Sequence, residues 1–270
     1  MTYAYIDKDL DEMINDLADY TKLPIEIVRS LVLQREPYCY KREFVLQMKI
    51  FDQKREQRNM RSPSNNTEFM AMYEASVDAH QDFFYISSAF MLFGNAKHGL
   101  YINDISKLVS NISNEIHDRK LSFFEFGGGC GQMSLAVKKA NPDINVYFNE
   151  ISTVQKDFFA YRCYKNNIND ISIINSWQFD KPLPRFDIVT ALDVFEHIKN
   201  YPKYVNKICD AINKGGYLFE GSYFLENFAN DVTHCVEDKY NLHGIIKSRG
   251  FELQSSPKMS EGNLWKKVEE

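Results

Sequence analysis

The chain has no cysteine pattern to build on. Its five cysteines, Cys39, Cys130, Cys163, Cys209 and Cys235, stand apart without a C-x-x-C pair, an odd and unpatterned set. That argues against a disulfide framework or a structural zinc site and suits a reducing cytosol. No apolar run approaches the length of a membrane span, and Met1 to Leu10 carries neither a basic n-region nor an apolar h-region. The expected location is the cytoplasm. Basic excess is missing too: 270 residues carry 32 Lys and Arg against 37 Asp and Glu, a formal charge of −5. Such a balance argues against a general nucleic-acid binder, and no membrane partner is expected. Internal repeats and low-complexity tracts are absent. What is plentiful is core material, 44% hydrophobic and 14% aromatic, enough for one large domain or a catalytic domain with a small addition.

The organising stretch is Leu121 to Gly131, Leu-Ser-Phe-Phe-Glu-Phe-Gly-Gly-Gly-Cys-Gly. Its first half reads as a buried parallel strand closed by a turn signal. Gly127, Gly129 and Gly131 follow at alternate positions, and Gln132–Ala140 then has helical composition. A strand that stops in glycine and restarts as a helix makes a nucleotide-binding turn. Glycine permits positive φ and close ligand approach, and the helix start offers free amides. A dinucleotide fingerprint beginning at Gly127 needs a glycine at 132, where Gln132 stands. A nucleotide-dependent oxidoreductase is therefore the alternative reading, and a tight turn without a ligand is the plainest one. Cys130 reads as a small loop residue.

Beyond Leu121 the chain alternates strand and helix. Strands are expected at Leu121–Phe126, Asn145–Asn149, Ile171–Ile174, Phe186–Ala191, Tyr217–Gly221, Phe251–Gln254 and Asn263–Val268. Helices fit between them at Gln132–Ala140, Val154–Asn166, Tyr201–Asn213 and Val236–Arg249. That is a doubly wound α/β domain. Glu150 ends the second strand about 20 residues beyond the glycine turn, where an acid accepts both hydroxyls of a ribose. It equally suits an acidic helix start capped by Ser152 or Thr153. The fourth strand runs into Asp193-Val-Phe-Glu196-His197 at its carboxyl end, the ligand edge of open α/β sheets. Three readings stand for that stretch: a capping box of Asp193 and Glu196, proton exchange through His197, and metal binding with His234 as a further ligand. Adjacent residues on a regular helix point about 100° apart, so Glu196 and His197 converge only on an irregular turn.

Taken together these motifs resemble the class I S-adenosylmethionine-dependent methyltransferases over residues of about 116–270. Glu125-x-Gly127-x-Gly129-x-Gly131 resembles their motif I, and Asp193-x-x-Glu196-His197 resembles motif IV of one subgroup. Lys214-Gly215-Gly216-Tyr217 resembles the turn into strand five, and His234 followed by Tyr240–Gly250 and Phe251 resembles the last helix entering strand six. The resemblance implies a seven-stranded Rossmann-like sheet with its last strand inserted antiparallel, and S-adenosyl-L-methionine as cofactor. It places Glu125 near the cofactor's ammonium, Gly127, Gly129 and Gly131 in its cradle, and Glu150 on the ribose. Relatives often carry an acid for the adenine after strand three. Here Ser176 and Trp177 stand there instead, with the indole as a stacking surface. Asp193 is expected at the cofactor and, with His197, at the chemistry. Some relatives, among them quinone-precursor O-methyltransferases and small-RNA 2′-O-methyltransferases, hold a divalent ion with Glu-x-x-Glu-His. With Asp193 one methylene shorter in the first position, the reading taken is methyl transfer without a metal. A non-catalytic module that kept the fold is a further alternative.

Residues 1–115 read as a helical region resembling no family, expected to cap the acceptor side. Asp9–Tyr20 carries Leu10, Met13, Ile14 and Leu17 at helical spacing, and Pro24 opens a second helix through Leu33. Longer helices are expected at Lys41–Met60 and Thr67–Gly94, parted by a run of breakers. The second holds Phe83, Phe84, Tyr85, Phe90 and Phe93, which pack against the sheet domain or form a lid over the acceptor. Residues 35–61 hold eight basic against four acidic side chains, with Lys54, Arg58 and Arg61 along one helical face. That face is either solvated or an anion site for a phosphorylated or carboxylated small-molecule acceptor.

Overall fold

A computed structural model of the protein describes residues 7–33, 107, 109–112, 120–151, 153–198, 200–222, 239–254 and 262–269. In chain order its elements are α1 (Asp7–Thr21), α2 (Ile25–Leu33), β1 (Ser122–Phe126), α3 (Gln132–Ala140), β2 (Asn145–Asn149), α4 (Thr153–Lys165), β3 (Ser172–Ile173), β4 (Phe186–Leu192), α5 (Tyr201–Ala211), β5 (Ile212–Gly221), α6 (Lys239–Ser248), β6 (Phe251–Leu253) and β7 (Asn263–Lys267). Short 3-10 turns occupy Ser176–Asp180 and Phe195–His197. The helices expected at Lys41–Met60 and Thr67–Gly94, the basic patch and His234 lie outside the described residues.

The chain divides into two compact units, Met1–Leu100 with Ile151–Asn169, and Tyr101–Glu150 with Asp170–Glu270. In the first, α1 buries Leu10, Met13, Ile14 and Leu17, the stripe its periodicity predicts. Helix α4 belongs to this unit although it lies between β2 and β3 in sequence. A buried ion pair fixes it to α1: Arg162 Nε donates to Asp16 Oδ2 at 2.9 Å, and Lys165 Nζ lies 3.0 Å from Asp16 Oδ1. Losing one partner of such a pair costs about 3–5 kcal/mol, because the other charge stays buried alone. Lys165 also bonds Asp19, and that contact holds the Asp19 carboxyl below its usual range.

The second unit is built on a seven-stranded sheet of order β3-β2-β1-β4-β5-β7-β6, parallel except for β7, which pairs antiparallel with both neighbours. β1 lies inside the sheet between β2 and β4, and the alternation of that strand explains why. Phe123 turns to one face with Met133 and Val137 of α3, while Phe124 and Phe126 turn to the other with Val205 and Ile208 of α5. A parallel strand covered on both faces needs such a continuous apolar run. Each phenylalanine contributes roughly 1.5–3 kcal/mol by burial. The strand order reverses between β1 and β4, which makes their carboxyl ends the crevice where this architecture takes ligands.

At the amino end of the sheet the buried polar groups are fully engaged in the fold. Asp187 Oδ2 accepts from the Ser122 amide and hydroxyl, both at 2.9 Å, and Oδ1 accepts from Asn213 Nδ2 at 2.8 Å. Lys267 Nζ donates to the carbonyls of Cys209 at 2.8 Å and Ile212 at 2.9 Å. These contacts correct one boundary: α5 was expected to run to Asn213, yet it stops at Ala211. Ile212 is already extended and pairs with Phe186, so β5 starts there and carries the Lys214-Gly215-Gly216 turn as an irregularity inside it.

Candidate active site

The site begins with a carboxylate on β1. Glu125 shares the Phe123 face, where α3 packs, and its Oε2 accepts from the Ser134 amide at 2.9 Å and from the Ser134 hydroxyl. That clasp returns the chain onto the sheet through a turn in which Gly127, Gly129 and Gly131 have φ of 68°, 54° and 71°. Gly127 has a second reason to lack a side chain. A Cβ there would lie 2.4 Å from Val194 Cγ2, so the glycine turn packs directly on the turn that comes after β4. On the other side the Gly128 amide donates to the Asn149 carbonyl at 2.9 Å, and the Gly129 amide donates to Glu150 Oε2 at 2.8 Å. Glu150 is buried at the carboxyl end of β2. The acid and the glycine turn, 21 residues apart in sequence, thus form one structure.

Asp193 comes directly after β4 in the left-handed region, at φ 56°, with its amide bonded to the Gly221 carbonyl at 2.8 Å. Aspartate tolerates this conformation better than most residues, and such backbone clusters at functional turns. It corrects the capping-box reading. An N-cap needs extended backbone, so the cap position passes to Val194, and no side-chain cap bond forms. The chain then enters a 3-10 turn, in which residues three apart eclipse. Across this turn one ligand atom from each of Asp193, Glu196 and His197 lies within 4.8 Å of the others. Glu196 is buried, His197 half-buried and Asp193 exposed. The irregular turn that convergence requires is present. Three such atoms are close enough to share a divalent ion.

Ser176 and Trp177 open the 3-10 turn after β3. A reciprocal capping box between Asn175 and Gln178 fixes its start, and Asn149 Nδ2 donates to the Ile174 carbonyl at 2.7 Å, tying that turn to the end of β2. Sequence reasoning missed three side chains: Ser134, the partner of Glu125; Asp187; and Glu220. The last two carried a signal, since each is an acid directly after a phenylalanine in a buried stretch of strand.

Comparison with known proteins supplies the class. A family model described as a methyltransferase domain matches residues 97–255, more than half of the chain, and the chain belongs to that family. Among curated proteins, (S)-coclaurine N-methyltransferase of Thalictrum flavum subsp. glaucum is 28% identical over 149 residues, covering 51% of this chain and 41% of its own length. Pavine N-methyltransferase of the same plant is 26% identical over 137 residues, covering 50% and 38%. The match therefore spans less than half of either relative. The crystal structure of magnesium protoporphyrin IX methyltransferase from Synechocystis PCC 6803, solved with adenosylhomocysteine, is similar at a TM-score of 0.46 and 12% identity, over 61% of this chain and 81% of that one.

The cofactor of this family is S-adenosylmethionine, and the residues present fit it. The glycine turn lets a ligand approach the backbone without side chains in the way, and a buried carboxylate is held against it. A carboxylate has about four lone-pair sites, so holding Gly129 and accepting a ribose diol are compatible. Among the described helices none is long and apolar enough to cross a membrane.

Proposed function

We propose that the protein transfers the methyl group of S-adenosylmethionine to a nitrogen of a small molecule, with an oxygen as the alternative. The observation that carries this reading is the convergence of Asp193, Glu196 and His197 beside the glycine turn. When bound, the cofactor supplies a methyl group already activated by its sulfonium. The chain's own tasks are then to hold, align and deprotonate the acceptor. Glu150 and the Gly127–Gly131 turn hold the nucleoside end, Ser176 and Trp177 border the adenine, and Glu125 fixes the turn through Ser134. His197 is the group placed to accept the proton that the acceptor gives up. Two carboxylates at the reacting end favour an amine over an anionic nucleophile, and the plant relatives are N-methyltransferases by name.

The basic patch of 35–61 supports a second statement about the acceptor, that it carries a phosphate or carboxylate remote from the reacting atom. Transfer of labelled methyl from S-adenosylmethionine to matched amines, phenols and their carboxylated forms tests both. Turnover of an amine supports the reading, and an anionic preference lost in the Arg58→Ala, Arg61→Ala double variant supports the second statement. A folded protein that methylates neither amines nor phenols contradicts it.

A further inference from the structure

Two acids are buried in the same sheet on neighbouring strands, and they are used differently. Asp187, at the amino end, has both oxygens engaged by Ser122 and Asn213. Glu220, fully buried one residue before the carboxyl end of β5, is lopsided. Its Oε1 takes three contacts: Asn263 Nδ2 at 2.8 Å, His243 Nε2 at 3.1 Å and Trp265 Nε1 at 3.3 Å. Its Oε2 is buried with no hydrogen-bond partner among the described residues. Ser222 is the first residue beyond β5, and its Oγ is likewise buried without a partner among the described residues. The Gly221 carbonyl between them accepts the Asp193 amide, so this pair adjoins the turn that carries His197.

Leaving a buried polar atom unsatisfied is costly, more so when the group is charged. Native proteins keep few such atoms, and two only two residues apart at the end of β5 call for an explanation. A donor brought by a ligand satisfies both atoms. We infer that Glu220 and Ser222 form a subsite at the carboxyl end of β5 that receives a hydroxyl or amine N–H of the methyl acceptor. His243, Asn263 and Trp265 gather on Oε1 and thereby leave Oε2 as the acceptor for that group. The inference rests on the methyl-transfer reading of the same sheet edge and adds the donor group that its acceptor carries.

The test is equilibrium binding to the full chain saturated with adenosylhomocysteine, so it does not depend on turnover. Three probes are compared: tyramine, its O-methyl ether, which lacks the hydroxyl donor, and 4-ethylphenol, which lacks the amine. Wild type should bind tyramine at least tenfold more tightly than one of the other two, and which one identifies the donor. Glu220→Gln keeps an oxygen for the Oε1 contacts and presents an amide donor in place of Oε2. It should erase that tenfold preference while adenosylhomocysteine affinity holds, and Ser222→Ala should reduce it if the first variant does not fold. A uniform loss for all three probes, a preference that survives in the variants, or a wild type that binds none of them overturns the subsite. Loss of methyl transfer with the preference intact would instead count against the catalytic reading alone.

Discussion

The two ends of the sheet use the same residue types for opposite purposes. At the amino end, Asp187 and Lys267 are buried and bonded to backbone and side chains of the neighbouring elements. At the carboxyl end, Glu150 holds a glycine turn, Asp193 sits in strained backbone, and Glu196 and His197 crowd beside it. The first arrangement closes polar groups upon one another and fixes where strands begin. The second aims them at a common edge, at a cost in strain that elsewhere in the fold would have no return. Stability and chemistry are therefore separable by position along the strands.

The largest effect that sharpens this contrast is expected at His197. His197→Ala should lower turnover about a hundred- to ten-thousand-fold, the range for a lost general base, and leave adenosylhomocysteine affinity unchanged. Near-wild-type turnover would remove His197 from the chemistry. The matching experiment at the other end is Asp187→Ala. It strands the Ser122 donors and Asn213, so unfolding free energy should fall by about 1–3 kcal/mol in a denaturant titration. Cofactor affinity in the folded variant should hold, and its loss would blur the separation of the two ends. The smallest effect concerns Asp193, Glu196 and His197 as a set. Exhaustive chelation should leave methyl transfer unchanged if they exchange protons alone. Activity lost to chelator and restored by a divalent ion would turn the set into a metal centre.

Much of this was legible in the sequence where the information is local. The run Phe123 to Phe126 announces a strand buried on both faces, and glycine at 127, 129 and 131 announces positive φ, which all three adopt. The seven strands and the four helices between them fall within a few residues of expectation, because hydrophobic alternation and turn residues act over short range. Where tertiary contacts decide, the sequence was silent. The end of α5 depends on Ile212 pairing with Phe186, and the failed capping box depends on the Gly221 carbonyl that draws Asp193 into left-handed backbone. The lopsided Glu220 needs partners from α6 and β7, 23 to 45 residues away, which no spacing rule brings together.

The central claim is that the carboxyl edge of β1 and β2 binds the cofactor through the glycine turn and Glu150, and calorimetric titration with adenosylhomocysteine tests it most directly. Wild type should bind one equivalent and show no comparable heat with NAD. Glu150→Ala should weaken binding by about 1.5–3 kcal/mol, the range for hydrogen bonds to a charged group, in a protein that remains folded. A wild type that ignores adenosylhomocysteine, or a folded Glu150→Ala variant with undiminished affinity, would contradict the account.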